Sequence, residues 1–250
     1  MALLLEVVCR CFDGGNVHNY APRIVGASVP KAVVVRRCVR SLVESLKGIE
    51  HKLVLIERVA DPELRAWLHG LGAEIVPGLE GNNPSWLQAV ERCRLSTARW
   101  VYQPEDDYLH APNAVRAMLD FAELAVKKGV ERLALHPYDD ADNYKSDCLE
   151  ASKIVPGPER HWRRNTYSTA VVFTRPWVFA MPEFEELASL YETPEGRARG
   201  IHEGNTINKL WRDDGPLGVR LFTPLPSLAV ALNENEPPLF DWKARWEACA

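Results

Sequence analysis

Three consecutive carboxylates, Glu105, Asp106 and Asp107, close the segment RWVYQP. They are the residues of this sequence whose type and spacing best suit chemistry. Adjacent acids repel one another and are costly to bury unpaired, so a positive charge is expected beside them. A divalent cation is the simplest candidate. Mg2+ and Mn2+ prefer oxygen ligands, often taking one or two protein carboxylates and filling the remaining positions with phosphate oxygens and water. Such an ion would neutralise the charge that grows on a diphosphate as its bond to a sugar breaks. The plainer reading is a solvated acidic turn that caps the next helix. Placement after a hydrophobic strand favours the site, because ligands collect at the carboxyl ends of strands in open α/β sheets.

Other candidates lie later in the chain. Direct transfer to a hydroxyl needs a base, and Glu203 in HEGNTINKLW stands just before a helical pattern; an acid favoured by the helix dipole is the alternative. TPEGRARG carries Arg197 and Arg199 between glycines, which suits either a loop closing over a diphosphate or a plain surface loop. Arg160-His161-Trp162-Arg163-Arg164 mixes cations with an aromatic ring. Trp162 and Arg163 are therefore expected to meet an acceptor by stacking or phosphate pairing, against a strand edge with a packed Trp. His136 in LHPYDD is a further acceptor candidate at a strand end, although a lone histidine is more often structural.

The elements that must position these residues follow from periodicity. LLLEVVCRC reads as a first strand, residues 31 to 47 as a helix, KLVLIE as a second strand, and Pro62 as the start of a short helix. AEIVPG is a third strand, and Trp86, Leu87, Val90 and Cys93 recur at helical spacing before the strand that ends in the acids. Pro112 opens another helix, RLALHPYDD is a strand, and the stretch from Asp139 to Asn165 reads as loop. TAVVFTRPWVFAM predicts a strand entering a short helix, HEGNTINKLW a helix, and GVRLFTPLPSLAVAL a late strand with proline breaks. Strands alternating with helices predict an α/β fold with a mostly parallel central sheet flanked by helices.

Bulk properties set the outer limits. The chain has 250 residues, 46% hydrophobic and 26% charged, and a formal net charge of -4, which fits one compact folded unit. The acidic balance argues against a general electrostatic grip on nucleic acid. The opening MALLLEVVCRC lacks a basic leader and is interrupted by Glu6, so no membrane span is expected and the cytoplasm is the expected compartment. The six cysteines, at 9, 11, 38, 93, 148 and 249, lack paired zinc-ribbon spacing and are expected to be mostly buried thiols.

The segment NNPSWLQAVERCRLSTARWVYQPEDDYLHAP resembles family 2-like glycosyltransferases of the GT-A fold. There an Asn-bearing helix, here with Asn83, leads into a hydrophobic strand and an acidic DXD-type motif. The resemblance is close over residues 82 to 112 and loose over the first half. It implies a Rossmann-like GT-A domain over residues 1–250: residues 1–107 bind the nucleotide sugar, and 108–250 form an acceptor-side α+β portion. It also implies Glu105 near the ribose, Asp107 on the metal, Asp106 in either role, Glu57 near the base and Arg10 among the nucleotide contacts. Glu203 is similar to the acceptor-side acid of inverting members, although the usual acid pair is here Glu-Gly. Many members add a late histidine ligand. No histidine follows His202 here, so water, Asn233 or Glu234 is the expected substitute. IERVADPE lacks the family's acid-acid-Gly-Ser turn, which leaves the base open.

The expected activity is thus transfer of a sugar from a UDP-sugar or other nucleoside diphosphate sugar to a hydroxyl acceptor, with Mn2+ or Mg2+. The acceptor is a glycan, with a modified DNA base kept open by the basic-aromatic cluster. Two alternatives remain: a nucleotidyltransferase, which would carry a glycine-rich phosphate loop after the first strand, where CFDGGN has only two glycines; and a catalytically silent sugar-nucleotide or glycan binder of the same fold.

Overall fold

The computed structural model describes residues 3–14, 22–25, 29–139, 153–165, 171–190, 193, 207–211, 218–232 and 240–250. In the first half, strands β1 (Leu5–Phe12), β2 (His51–Arg58), β3 (Glu74–Pro77) and β4 (Trp100–Gln103) alternate with helices α1 (Pro22–Val25), α2 (Lys31–Ser45), α3 (Pro62–His69) and α4 (Asn82–Arg94). The second half contains β5 (Tyr108–His110), α5 (Ala114–Lys127), β6 (Leu133–Leu135), β7 (Ile154–Pro156), β8 (His161–Asn165) and β9 (Val172–Thr174). It continues through α6 (Pro176–Phe179), α7 (Pro182–Ser189), a 3-10 helix (Ile207–Trp211), β10 (Arg220–Leu225), β11 (Ala229–Ala231) and α8 (Trp242–Ala248).

Nine strands form one sheet in the order β3-β2-β1-β4-β9-β6-β10-β8-β7, and β5 pairs with β11 in a second, two-stranded sheet. The first four strands are mutually parallel, as the alternation of strand and helix predicts. Beyond them β9 runs antiparallel between β4 and β6, β10 is parallel to β6, and β8 and β7 return antiparallel at the edge.

The period-2 alternation of β1 and β4 divides the core in two. Leu5, Val7, Trp100 and Tyr102 face α2 and α5, whose apolar stripes include Val35, Val39, Leu42, Val115, Met118 and Ala122. Val8 and Val101 face α4, through Trp86, Ala89, Val90 and Cys93. Local capping starts the helices. The Asp61 carboxylate accepts from Leu64 N at 2.8 Å with Pro62 in the first turn. Gly81 takes φ 94° immediately before α4, a conformation that favours glycine.

The stretch expected to be loop contains the β7–β8 hairpin instead. Its alternation is masked because Arg163 occupies an inward position, where it pairs with Asp139 at 3.5 Å. Its neighbour Trp162 points to the opposite face and stacks on Phe121 with ring centroids 4.2 Å apart. Cys9, Cys11, Cys38, Cys93 and Cys249 are buried free thiols, as expected, and Cys148 lies outside the described residues. Among the described residues no helix is long and apolar enough to cross a membrane.

Candidate functional site

The order of the parallel strands reverses between β1 and β4: β2 and β3 lie to one side of β1, and β4 lies to the other. In open α/β sheets the crevice beyond such a reversal is where ligands bind. The register Leu5↔Trp100 and Val7↔Tyr102 continues past β4 to an isolated bridge between Arg10 and Glu105. Arg10, Gln103 and Glu105 therefore share the α4 face of the sheet.

The guanidinium of Arg10 is held from both directions. Its Nη2 pairs with Glu105 Oε1, while Nη1 donates to Asn82 Oδ1 at 2.9 Å and Ser85 Oγ at 3.1 Å. Both of those acceptors belong to the first turn of α4. At the other end of the helix Arg92 Nε donates to Glu6 Oε1 at 2.7 Å, so α4 is tied to β1 by hydrogen bonds from Arg10 at its start and by an ion pair near its end.

The three acids do not converge. Asp106 turns to the opposite face, where Phe12 N donates to Oδ2 at 2.6 Å and Lys31 Nζ to Oδ1 at 2.7 Å. The positive charges expected beside the acids are thus supplied by Arg10 for Glu105 and by Lys31 for Asp106. Asp107 is partly exposed as a residue, yet its Oδ1 is sealed from solvent and has no hydrogen-bond partner. Burial pushes its carboxyl up to about 7, reinforced by Glu105 and Asp106 and opposed by Lys31. Among the described residues no group of three or more His, Cys, Asp or Glu side chains is placed to hold a metal ion. The free Oδ1 of Asp107 does fit one ligand position of Mg2+ or Mn2+, which accept a single protein carboxylate when phosphates and water complete the shell.

The remaining expected site residues fall in different places. Asn83 is buried in the first turn of α4, next to the Asn82 that holds Arg10. Glu57 is the penultimate residue of β2 and turns toward α3. Burial alone would raise its carboxyl, but Val59 N–H, His69 and Arg65 together bring it below the ordinary range. It is thus engaged by its own neighbourhood. His136 is buried one residue beyond β6, its Nδ1 2.9 Å from Val171 O. Trp162 corrects an expectation: fully buried, it is a core ring on Phe121 rather than an open stacking platform. Arg163 is also buried, and its ion pair with Asp139 uses the charge that was expected to meet an acceptor. Glu203, Arg197, Arg199 and Asn233, with Glu234, lie outside the described residues.

Several residues at this edge were missed by the sequence reading. Phe12 ends β1 as a residue 43% exposed, with the Arg58 guanidinium 5.6 Å from its ring centroid. The Asp13 carboxylate accepts from Ala60 N at 2.8 Å and Asp61 N at 2.7 Å, joining the chain after β1 to the chain after β2. Lys31 and Gln103 complete the set. Only the aromatic at the end of the first apolar strand was a visible signal; the others depend on contacts between distant segments.

No family model matches the chain, and no curated protein matches it. Among solved structures, a nucleotidyl transferase from Methanothermobacter thermautotroptrophicus is similar at 11% identity and a TM-score of 0.48, covering 97% of this chain and 90% of that one. A CMP:2-keto-3-deoxy-manno-octonic acid synthetase complexed with CTP is similar at 12% identity and a TM-score of 0.43, covering 88% of each chain. Likeness of this degree assigns no activity, so the site's own geometry has to carry any reading.

Proposed function

We propose that the chain is a cytoplasmic transferase that binds a nucleoside diphosphate sugar across the carboxyl ends of β1 and β4 and moves its sugar to a hydroxyl acceptor. The observation that supports this is the Arg10–Glu105 bridge at the strand-order reversal, with the unpartnered Asp107 Oδ1 two residues further on. A cleft at that position takes a nucleotide. Phe12 offers an exposed face to the base, and Glu105, held by Arg10, accepts from a ribose hydroxyl. Arg10 and Lys31 bring positive charge to the strand ends on opposite faces, within reach of a diphosphate. Asp106 fixes Lys31 and the last residue of β1 together. Asp107 would hold Mg2+ or Mn2+, which when bound neutralises charge on the leaving diphosphate.

In this reading residues 1–107 carry the nucleotide and 108–250 receive the acceptor, a glycan or another hydroxyl compound. Glu203 takes the acceptor proton, Arg197 and Arg199 close over the diphosphate, and Asn233 adds a metal ligand. His136, just beyond β6, would shape the acceptor side. Nucleotidyl transfer is a second reading, in which Gly14, two residues beyond β1, would begin the phosphate loop; a Cβ there would lie 2.7 Å from the exposed Phe12 side chain. A glycine at that place leaves the Phe12 side chain where it lies and suits the start of a phosphate loop.

Thermal unfolding with UDP, GDP, dTDP and CDP, with and without Mn2+, tests the nucleotide site. One of them is expected to raise Tm, more so with metal, since saturation at 100 times Kd stabilises by roughly 2.7 kcal/mol. If none shifts Tm in either condition, the reading fails. Nucleoside diphosphate released from a sugar nucleotide identifies glycosyl transfer. Pyrophosphate released from a nucleoside triphosphate and a sugar phosphate identifies the second reading. Binding with neither release identifies a silent binder.

A further inference from the structure

Among the described residues, three of the buried polar atoms without partners lie on the α4 face of the sheet near the Arg10–Glu105 bridge: Arg10 Nε and both Oε1 and Nε2 of Gln103. Gln103 is 1% exposed. It lies two residues before Glu105 on the same face, in register with Val172 of β9 on one side and beside Val8 of β1 on the other. An amide with both ends sealed and unpaired loses its hydration without compensation, typically about 1–3 kcal/mol for each group left unsatisfied. Buried polar groups are otherwise almost always paired, so an orphan at a ligand-binding edge points to a partner that arrives from outside.

We infer that Gln103, with Arg10 Nε, is a recognition group for hydroxyls of the transferred saccharide. The inference rests on the nucleotide-sugar reading above and deepens it. The chemistry of the three atoms selects the ligand class. Arg10 Nε and Gln103 Nε2 donate, whereas Gln103 Oε1 can only accept. The diphosphate of a sugar nucleotide, esterified at both ends, has no proton to give at neutral pH and would leave Oε1 facing negative charge. Hydroxyls both donate and accept, so a vicinal pair on a sugar ring satisfies all three atoms. Gln103 is thereby a binding and specificity residue, two positions before Glu105 on the α4 face.

The test compares matched probes by thermal unfolding: UDP with UDP-glucose, GDP with GDP-mannose and dTDP with dTDP-glucose, on the wild type and on Gln103→Met. In the wild type one sugar nucleotide is expected to bind about tenfold or more tightly than its own nucleotide, the scale of two hydrogen bonds. In Gln103→Met that advantage disappears, the response to the nucleotide alone persists, and the unliganded Tm is not lowered because an unpaired amide has been removed. Deoxy analogues of the sugar nucleotide give the same answer on the wild type, should the variant not fold. Removing the hydroxyl that the amide holds abolishes the advantage.

If the wild type shows no response to any nucleotide, the proposed function and this inference fall together. If it responds equally to nucleotide and sugar nucleotide, or if every deoxy analogue binds as well as its parent, only the inference falls. Retention of the sugar advantage in Gln103→Met also overturns it, as does loss of the nucleotide response itself, which would place the amide on the base or ribose.

Discussion

Adjacent acids in a sequence suggest a shared cation, but their directions depend on the backbone. Strand alternation sends Glu105 to Arg10 and Asp106 to Lys31 on the opposite face, and Asp107 follows in a turn where Tyr108 N bonds Glu105 O at 3.3 Å. Each of the first two has its own cation, and the third is left with a sealed oxygen. Asp107 has a carboxyl near 7 against an ordinary value of 3.8, raised by burial, then by Glu105 and Asp106, and lowered by Lys31. Between about pH 4 and 7 the unfolded chain has lost this proton while the folded protein keeps it. The folded state thus binds more protons, and stability falls as pH rises through that window, levelling above it. Asp107→Asn is expected to gain Tm relative to the wild type as pH rises from 4 to 7, with no further gain at pH 8. An offset that stays constant from pH 4 to 8 would remove Asp107 as the titrating group.

At the scale of elements, the helices were legible where their caps and stripes were local. Pro62 and Pro112 mark the starts of α3 and α5 in the sequence alone, and the structure adds the Asp61 cap of α3. Asp61→Ala is expected to cost about 1 kcal/mol through loss of the cap, measurable as a lower urea midpoint with unchanged slope. The β7–β8 hairpin was not legible, because its inward Arg163 breaks the expected alternation and its ion-pair partner Asp139 lies before the hairpin. Trp162→Ala is expected to destabilise by about 3–5 kcal/mol, as for a large ring removed from a core. Equilibrium unfolding checks this: a cost below about 0.5 kcal/mol, the scale of an ordinary surface change, would return Trp162 to the surface.

Across the whole molecule, Arg245 of α8 ties the end of the chain to the first core. Its Nε donates to His110 O at 2.7 Å and its Nη1 to Glu44 Oε2 at 2.7 Å, and His110 N donates to Ser41 Oγ at 2.9 Å. Burial pushes His110 down to about 3. The imidazole is therefore neutral; with Nδ1 against Tyr108 O at 3.0 Å, its Nε2 accepts from Tyr102 OH at 2.7 Å. Arg245→Ala leaves Glu44 and two carbonyls without their donor. The expected loss is about 2–3 kcal/mol, below that of a fully sealed pair because Glu44 is partly exposed. Thermal unfolding should show one cooperative transition at lower temperature; an unchanged Tm would mean that α8 does not stabilise the fold through this contact.

The sequence by itself determined the alternation of strand and helix, the parallel pairing it requires, the burial of the cysteines described, and the arrival of three acids at a strand end. Those features are local, because periodicity, caps and turn residues act over a few positions. Only the tertiary structure decided which charges meet. Arg10 finds Glu105, Lys31 finds Asp106, and Gln103 is sealed without a partner, because the parallel crossover brings β1 beside β4 across some ninety positions of chain. Pairing at that separation leaves no periodic mark in the sequence; it is fixed by sheet order and register.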